Sequence, residues 1–126
     1  MNIEIFSLLL MFFLHIIDDY KLQGILASMK QKNWWKEQKG YKELYKYDYL
    51  IALIEHSFSW TFMIMLPIAV VLCFDIGWWI FAYVANMVIH AFVDDLKANK
   101  LKINLATDQS IHIVQIVVTW LFFILL

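Results

Sequence analysis

Chain-breaking residues are scarce in this sequence. Three glycines and one proline among 126 residues leave few turns, so helices are favoured over a loop-rich or many-stranded fold. Cysteine is scarcer still. Cys73 is alone, so it cannot close an internal disulfide, and within its apolar run it reads as a small buried residue. The net charge is only −1, which excludes the broad basic field of a nucleic-acid-binding protein. Familiar catalytic signatures are missing as well. The chain has no glycine-rich phosphate loop, no Gly-x-Ser-x-Gly elbow, no Cys-x-x-Cys pair and no histidine-glutamate zinc-protease motif.

Apolar residues are abundant. They make up 63% of the chain, against about 45–50% in a typical soluble domain, which points to a membrane protein. At this length a single domain covering 1–126 is expected. Apolar periodicity and breakers predict an all-α fold, a four-helix transmembrane bundle with helices over about 3–22, 48–74, 77–96 and 107–126. The first apolar run is short for a span of about 20 residues, so the helix is expected to continue through Tyr20 and Leu22. No basic residue precedes that run and no small-residue cleavage site follows it, so it reads as a retained helix and not a signal peptide. Pro67 is expected to bend the second segment, which a spanning helix tolerates. Asp75-Ile76-Gly77 reads as a tight turn. Trp78 and Trp79 then open the third segment at an interface.

The connection 24–47 has a different character. It is rich in Lys and carries Trp34 and Trp35. Ile25, Leu26, Met29 and the Trp pair would form the apolar stripe of an amphipathic helix lying among lipid headgroups. All ten basic residues fall between Lys21 and Tyr47 or in the third connection, at Lys97, Lys100 and Lys102. The positive-inside rule then predicts both connections in the cytoplasm and both termini outside it. The expected location is a bacterial cytoplasmic (inner) membrane, with multiple passes.

Four stretches contain every histidine: His15-Ile16-Ile17-Asp18-Asp19, Glu55-His56, His90-Ala91-Phe92-Val93-Asp94 and Asp108-Gln109-Ser110-Ile111-His112. Three of them set a His and an Asp four residues apart, on one helical face about one turn apart. His and Asp are an ordinary ligand pair for zinc or manganese. All four stretches fall near the predicted cytoplasmic ends of their helices. A single intramembrane His or Asp is more often a hydrogen-bonding residue between helices. Three pairs at one spacing and one depth favour metal, because unpaired buried charges should not accumulate.

The predicted ligands are His15, Asp19, His56, His90, Asp94, Asp108 and His112. They would suit one or two divalent ions, the latter about 3.5–4 Å apart, with bound water activated for attack on an ester or phosphoryl centre. Glu55 is the candidate catalytic proton acceptor, although it points about 100° away from His56 on a helix. Asp18 and Asp95 are expected to be solvated or bound to lysine.

The spacing His15-x-x-x-Asp19-Tyr20-x-x-Gln23, followed by Lys30, resembles the opening motif of the DUF3307 family of small bacterial and phage membrane proteins. His56 matches a histidine in that family's next helix. His90-x-x-x-Asp94-x-x-Lys97 and Asp108-Gln109-x-x-His112 resemble its two closing motifs. The family is itself distantly similar to membrane-bound proteins described as metal-dependent hydrolases. The resemblance implies architecture and site residues, with Gln23, Lys30, Lys97 and Gln109 as supporting or substrate-binding groups. Lys97 could pair with Asp94 or with a substrate phosphate.

The resulting expectation is a membrane-embedded, metal-dependent hydrolase at the cytoplasmic leaflet, acting on a lipid, a lipid-linked phosphate or another amphiphile. The alternatives are a proton or divalent-cation transporter, and a small phage or defence protein that acts by assembly. Membrane lipid is the expected partner, and a homodimer would cover part of the lipid-facing surface.

Overall fold

A computed structural model describes residues 2–72 and 75–126. Cys73 and Phe74, and with them the reading of Cys73 as buried, lie outside the described residues. The described chain is helical: α1 (Ile3–Ile17), α2 (Leu26–Met29), α3 (Lys32–Lys36), α4 (Asp48–Val71), α5 (Ile76–Ala98) and α6 (Leu105–Leu125). Two π-helical turns, Asp18–Leu22 and Tyr41–Tyr45, interrupt the connections.

Three helix starts are set by side-chain caps, each satisfying backbone N–H groups that the helix leaves unpaired. The Asn2 side chain accepts from the Glu4 N–H. Asp75 accepts from the N–H groups of Gly77 and Trp78 at 2.9 and 3.1 Å, so the expected tight turn is the cap of α5. Asn104 accepts from Thr107 N–H at 2.9 Å. That cap starts α6 at Leu105, a little earlier than predicted, and puts Asp108 in its first turn. Pro67 lies buried inside α4, which runs on to Val71.

Helices α4, α5 and α6 are long and apolar enough to cross a membrane. Helix α1 has 15 residues, and the π turn Asp18–Leu22 extends it directly. Helix α4 packs along both α1 and α5, and α6 closes against α1 and α5. The interior of one half is apolar, built from Met11, Trp60, Ile64, Met65, Ile68, Ala82 and Ile116. The outside is apolar as well. Leu9 and Phe13, Ile54 and Phe58, Val84 and Val88, and Val114 and Val118 are all exposed. An apolar exterior around polar buried groups suits lipid as the surrounding solvent.

The 24–47 connection departs from the single amphipathic helix expected. Gly24 and Gly40 adopt left-handed backbone with φ +50° and +86°, a conformation that costs glycine little. Gln31 is extended between α2 and α3. The segment is therefore broken into short helices that fold back on α4. Trp35 is buried and donates its indole N–H to the Met29 carbonyl at 2.5 Å. Lys32 stays outside with its ammonium 4.6 Å from the Tyr49 ring centre. The Tyr49 hydroxyl beside it raises the Lys32 pKa above the usual lysine value. Asn99 ties the segment to the end of α5, accepting from Lys32 N–H at 2.7 Å and donating to the Lys30 carbonyl at 3.0 Å.

Candidate metal centre

Each long helix carries its buried polar residues on the stripe that also carries the core. The stripe on α1 is Ser7, Met11 and His15, and the stripe on α5 is Ala82, Asn86, His90 and Asp94. On α6 it is Asp108, His112, Ile116 and Thr119. The helical repeat forces this alignment, so packing the core also gathers the His and Asp side chains at one end.

Two donor sets form there. Asp19, His56 and His90 make the first, and His90, Asp94 and His112 the second, each with ligand atoms mutually within 4.8 Å. In the first, His56 Nε2 lies 3.2 Å from His90 Nε2. The same nitrogen is 3.4 Å from Asp19 Oδ1 and 3.4 Å from Asp94 Oδ2. His90 Nε2 is 3.9 Å from Asp94 Oδ2. Apart from the 3.2 Å His56–His90 pair, these separations exceed good hydrogen-bond lengths. A tetrahedral ion with bonds of about 2.0–2.1 Å holds its ligands about 3.3 Å apart. The three donors around His56 Nε2 lie at about such ligand–ligand separations from it.

In the second set, His112 Nε2 sits 3.5 Å from Asp94 Oδ1 and 3.5 Å from Asp108 Oδ1. Asp94 therefore turns one oxygen toward each set. Unused hydrogen-bonding capacity concentrates in the same place. His56 Nδ1, His90 Nδ1, both ring nitrogens of His112 and Asp108 Oδ1 are buried without a hydrogen-bond partner. Such groups are costly unless something else meets them.

Lysines balance part of the charge. Lys30, only 5% exposed, places Nζ 2.5 Å from Asp94 Oδ2. Lys97 places Nζ 2.5 Å from Asp108 Oδ2. Of the two expected partners of Lys97, Asp94 or a substrate phosphate, the first is taken by Lys30, which arrives from the first connection. Four buried carboxylates, Asp18, Asp19, Asp94 and Asp108, face these two ammonium groups. The buried carboxylates thus outnumber the ammonium groups paired with them.

Other predicted residues fall in different roles. His15 is buried beside the cluster, but its Nδ1 accepts the Trp60 indole N–H at 2.7 Å. Indole is a donor only, so that lone pair is taken, and His15 belongs to neither donor set. Glu55 is exposed on the outward side of α4 and is not brought to the cluster. Gln109 donates to Asp19 Oδ2 at 3.0 Å and Asp108 Oδ2 at 3.1 Å, linking two carboxylates. Gln23 donates to the Asp19 carbonyl. Asp95 pairs with Lys100 at 3.5 Å, as expected.

Asp18 is a correction. It is buried, not solvated: Ser59 donates to its Oδ1 at 2.6 Å, and Oδ2 lies 3.7 Å from His56 Nδ1. Adjacent residues on an α-helix point about 100° apart. The π turn widens the helix here, with Gln23 N–H bonded to the Asp18 carbonyl five residues back at 3.1 Å, and both Asp18 and Asp19 are buried. Sequence reasoning also missed Ser59 and Trp60. Trp60 stacks on His90 with ring centres 4.0 Å apart. The available signal was helical spacing, since Trp60 lies four residues after His56.

A small cavity of 140 Å³ leads to the cluster at the lysine end, lined by Asp19, Tyr20, Gln23, Lys30, Lys97, Leu105 and Gln109. No family model, curated protein or solved structure matches this chain.

Proposed function

We propose that this protein is a four-helix membrane protein whose His/Asp cluster holds a divalent metal and hydrolyses an amphiphile at the cytoplasmic leaflet. One observation carries the reading. His56 Nε2 lies 3.2–3.4 Å from donor atoms of His90, Asp19 and Asp94, and His90 Nε2 lies 3.9 Å from Asp94, separations that suit a shared ion. The excess of buried carboxylates over lysines supports a bound cation. A bound divalent ion of this kind lowers the pKa of a coordinated water to about 7.

The chain's own residues supply the rest. Asp18, beside His56 Nδ1, would fix that ring and leave Nε2 for the metal, the usual part of a carboxylate next to a ligating histidine. Lys30 and Lys97 line the mouth, where an anionic headgroup would meet them first. Trp60 holds His15 and supports the His90 ring. The apolar cluster around Trp60 and Ile64 favours hydrolysis over transport. Beyond the cluster, Trp60, Ile64, Met65, Ile68 and Ile116 are fully buried and close the interior. Lysine placement supports both termini outside the cytoplasm. Membership of the DUF3307 family is part of the same proposal.

The test is metal analysis of purified protein after incubation with zinc or manganese. About one ion per chain is expected, with affinity falling as pH drops, because each ligating imidazole must be unprotonated. Protein that stays metal-free at neutral pH overturns the reading.

A further inference from the structure

The 140 Å³ cavity at the lysine end has a cationic wall, because Lys30 and Lys97 both line it. An ammonium group carries three N–H donors and no acceptor. Among the described residues each of the two spends one donor, Lys30 on Asp94 and Lys97 on Asp108, so two remain on each. Lys97 is reachable from outside, with 27% of its side chain exposed. Asp19 is the acidic member of the lining. It turns Oδ1 to His56 and Oδ2 to Gln109, and Gln109 uses its other N–H on Asp108. Leu105, the first residue of α6, brings the positive end of that helix to the same wall. Tyr20 and Leu105 are each 56% exposed and give the cavity an apolar rim. A space of 140 Å³ holds about five waters at about 30 Å³ each, or one tetrahedral anion.

We infer that this cavity binds the dianionic phosphoryl group of a phosphomonoester between Lys30 and Lys97, and that a divalent cation in the donor sets strengthens the binding. Charge selects the class. A phosphomonoester carries about −1.5 to −2 at pH 7, which two ammonium groups match, whereas a carboxylate carries a single charge. The coupling follows from shared carboxylates. Asp94 and Asp108, which pair with the lysines, also face His112. A cation among the donor sets neutralises these carboxylates from the inside. The ammonium charge is then available to an anion on the cavity side. Such coupling is reciprocal, so the anion raises metal affinity by the same factor. Asp19 belongs both to the lining and to the first donor set, so a phosphoryl group seated here lies beside the centre. That this group is the one attacked rests on the proposed hydrolase; its binding does not. A lipid headgroup and a soluble phosphomonoester share this chemistry.

The probes are dodecylphosphonate and methylphosphonate, whose C–P bond resists hydrolysis, so binding is read apart from turnover. Each is added at mildly alkaline pH to full-length protein in neutral detergent micelles, with and without zinc. Broadening of the phosphorus NMR line, corrected for micelles alone, reports binding. Zinc should tighten it about 10-fold. Dodecanoate, with the same tail length and a carboxylate head, should compete poorly. Lys97→Met should weaken phosphonate binding at least about 10-fold, the loss of one charge-assisted hydrogen bond, with zinc content unchanged. Lys97→Arg should restore most of it. Tighter binding of dodecylphosphonate supports the site as one for a lipid headgroup, and equal binding of the two supports it as one for a soluble phosphomonoester. Zinc-loaded protein whose phosphonate binding is unaltered by Lys97→Met, or is displaced equally well by dodecanoate, overturns the inference and leaves the metal centre standing. Loss of zinc together with phosphonate in both Lys97 variants gives Lys97 a structural role and overturns it too. Protein that takes up no zinc yet binds phosphonate through Lys97 keeps the cavity and sinks the metal centre.

Discussion

Helix α4 presents His56 and, one turn later, Trp60; the next two turns present Ile64 and Ile68. The same helix thus builds two interiors. At one end, His and Asp atoms sit at separations too long to satisfy one another, with several nitrogens unpartnered. At the other end, Ile64, Met65, Ile68 and Ile116 pack without exposure. On α4, the positions one turn and more beyond Trp60 are filled by ordinary hydrocarbon. The His/Asp end instead gathers unpartnered donors that could hold a cation.

The strongest way to break this contrast is Asp94→Asn. Asp94 faces both donor sets and Lys30. The substitution should abolish metal binding and cost about 3–5 kcal/mol, as expected when one partner of a buried pair is removed. Combining it with His90→Ala should add little further loss of metal, because the two share one site. Full metal occupancy in Asp94→Asn would remove Asp94 from the ligand set. Metal content and thermal unfolding in detergent measure both effects.

Ile64→Ala attacks the other end. A cavity there should cost about 2–4 kcal/mol, seen as a lower unfolding temperature, while metal stoichiometry stays at the wild-type value. If metal were lost in parallel, the two halves would not be separate units. Trp60→Phe sits on the boundary. It keeps an aromatic ring near His90 but removes the donor to His15, and metal affinity should fall about 10-fold, the low end for groups that position a ligand. The smallest effect belongs to Asp95→Asn. Its ion pair with Lys100 lies near the surface, so stability should change by less than about 0.5 kcal/mol, with metal content unaltered.

The helices and the shared depth of the histidines were legible because both follow from the 3.6-residue repeat. His56, His90, Asp94 and His112 met as that repeat required. The misses have local causes. Asp18 faces inward because a π turn changes the helical register, and no residue in Asp18–Leu22 announces such a turn. Glu55 was attractive as a neighbour of His56, but adjacency on a helix separates side chains. The first connection carried the right composition for a surface helix, yet Gly24 and Gly40 break it, and Lys30 is drawn in by a carboxylate 64 residues further along the chain. Long-range pairing of that kind leaves no periodic trace.

Trp60 gives the centre an optical reporter. Its indole is fully buried, donates to one histidine and lies face to face with another. Protonating that imidazole or loading it with a cation changes the electric field across the chromophore. Indole emission from Trp60 should therefore shift in wavelength or intensity when the centre fills. The chain has five other tryptophans, and subtracting the Trp60→Phe spectrum isolates the response of this one. Occupancy of the buried cluster can then be followed in an intact membrane, in real time and without an attached dye.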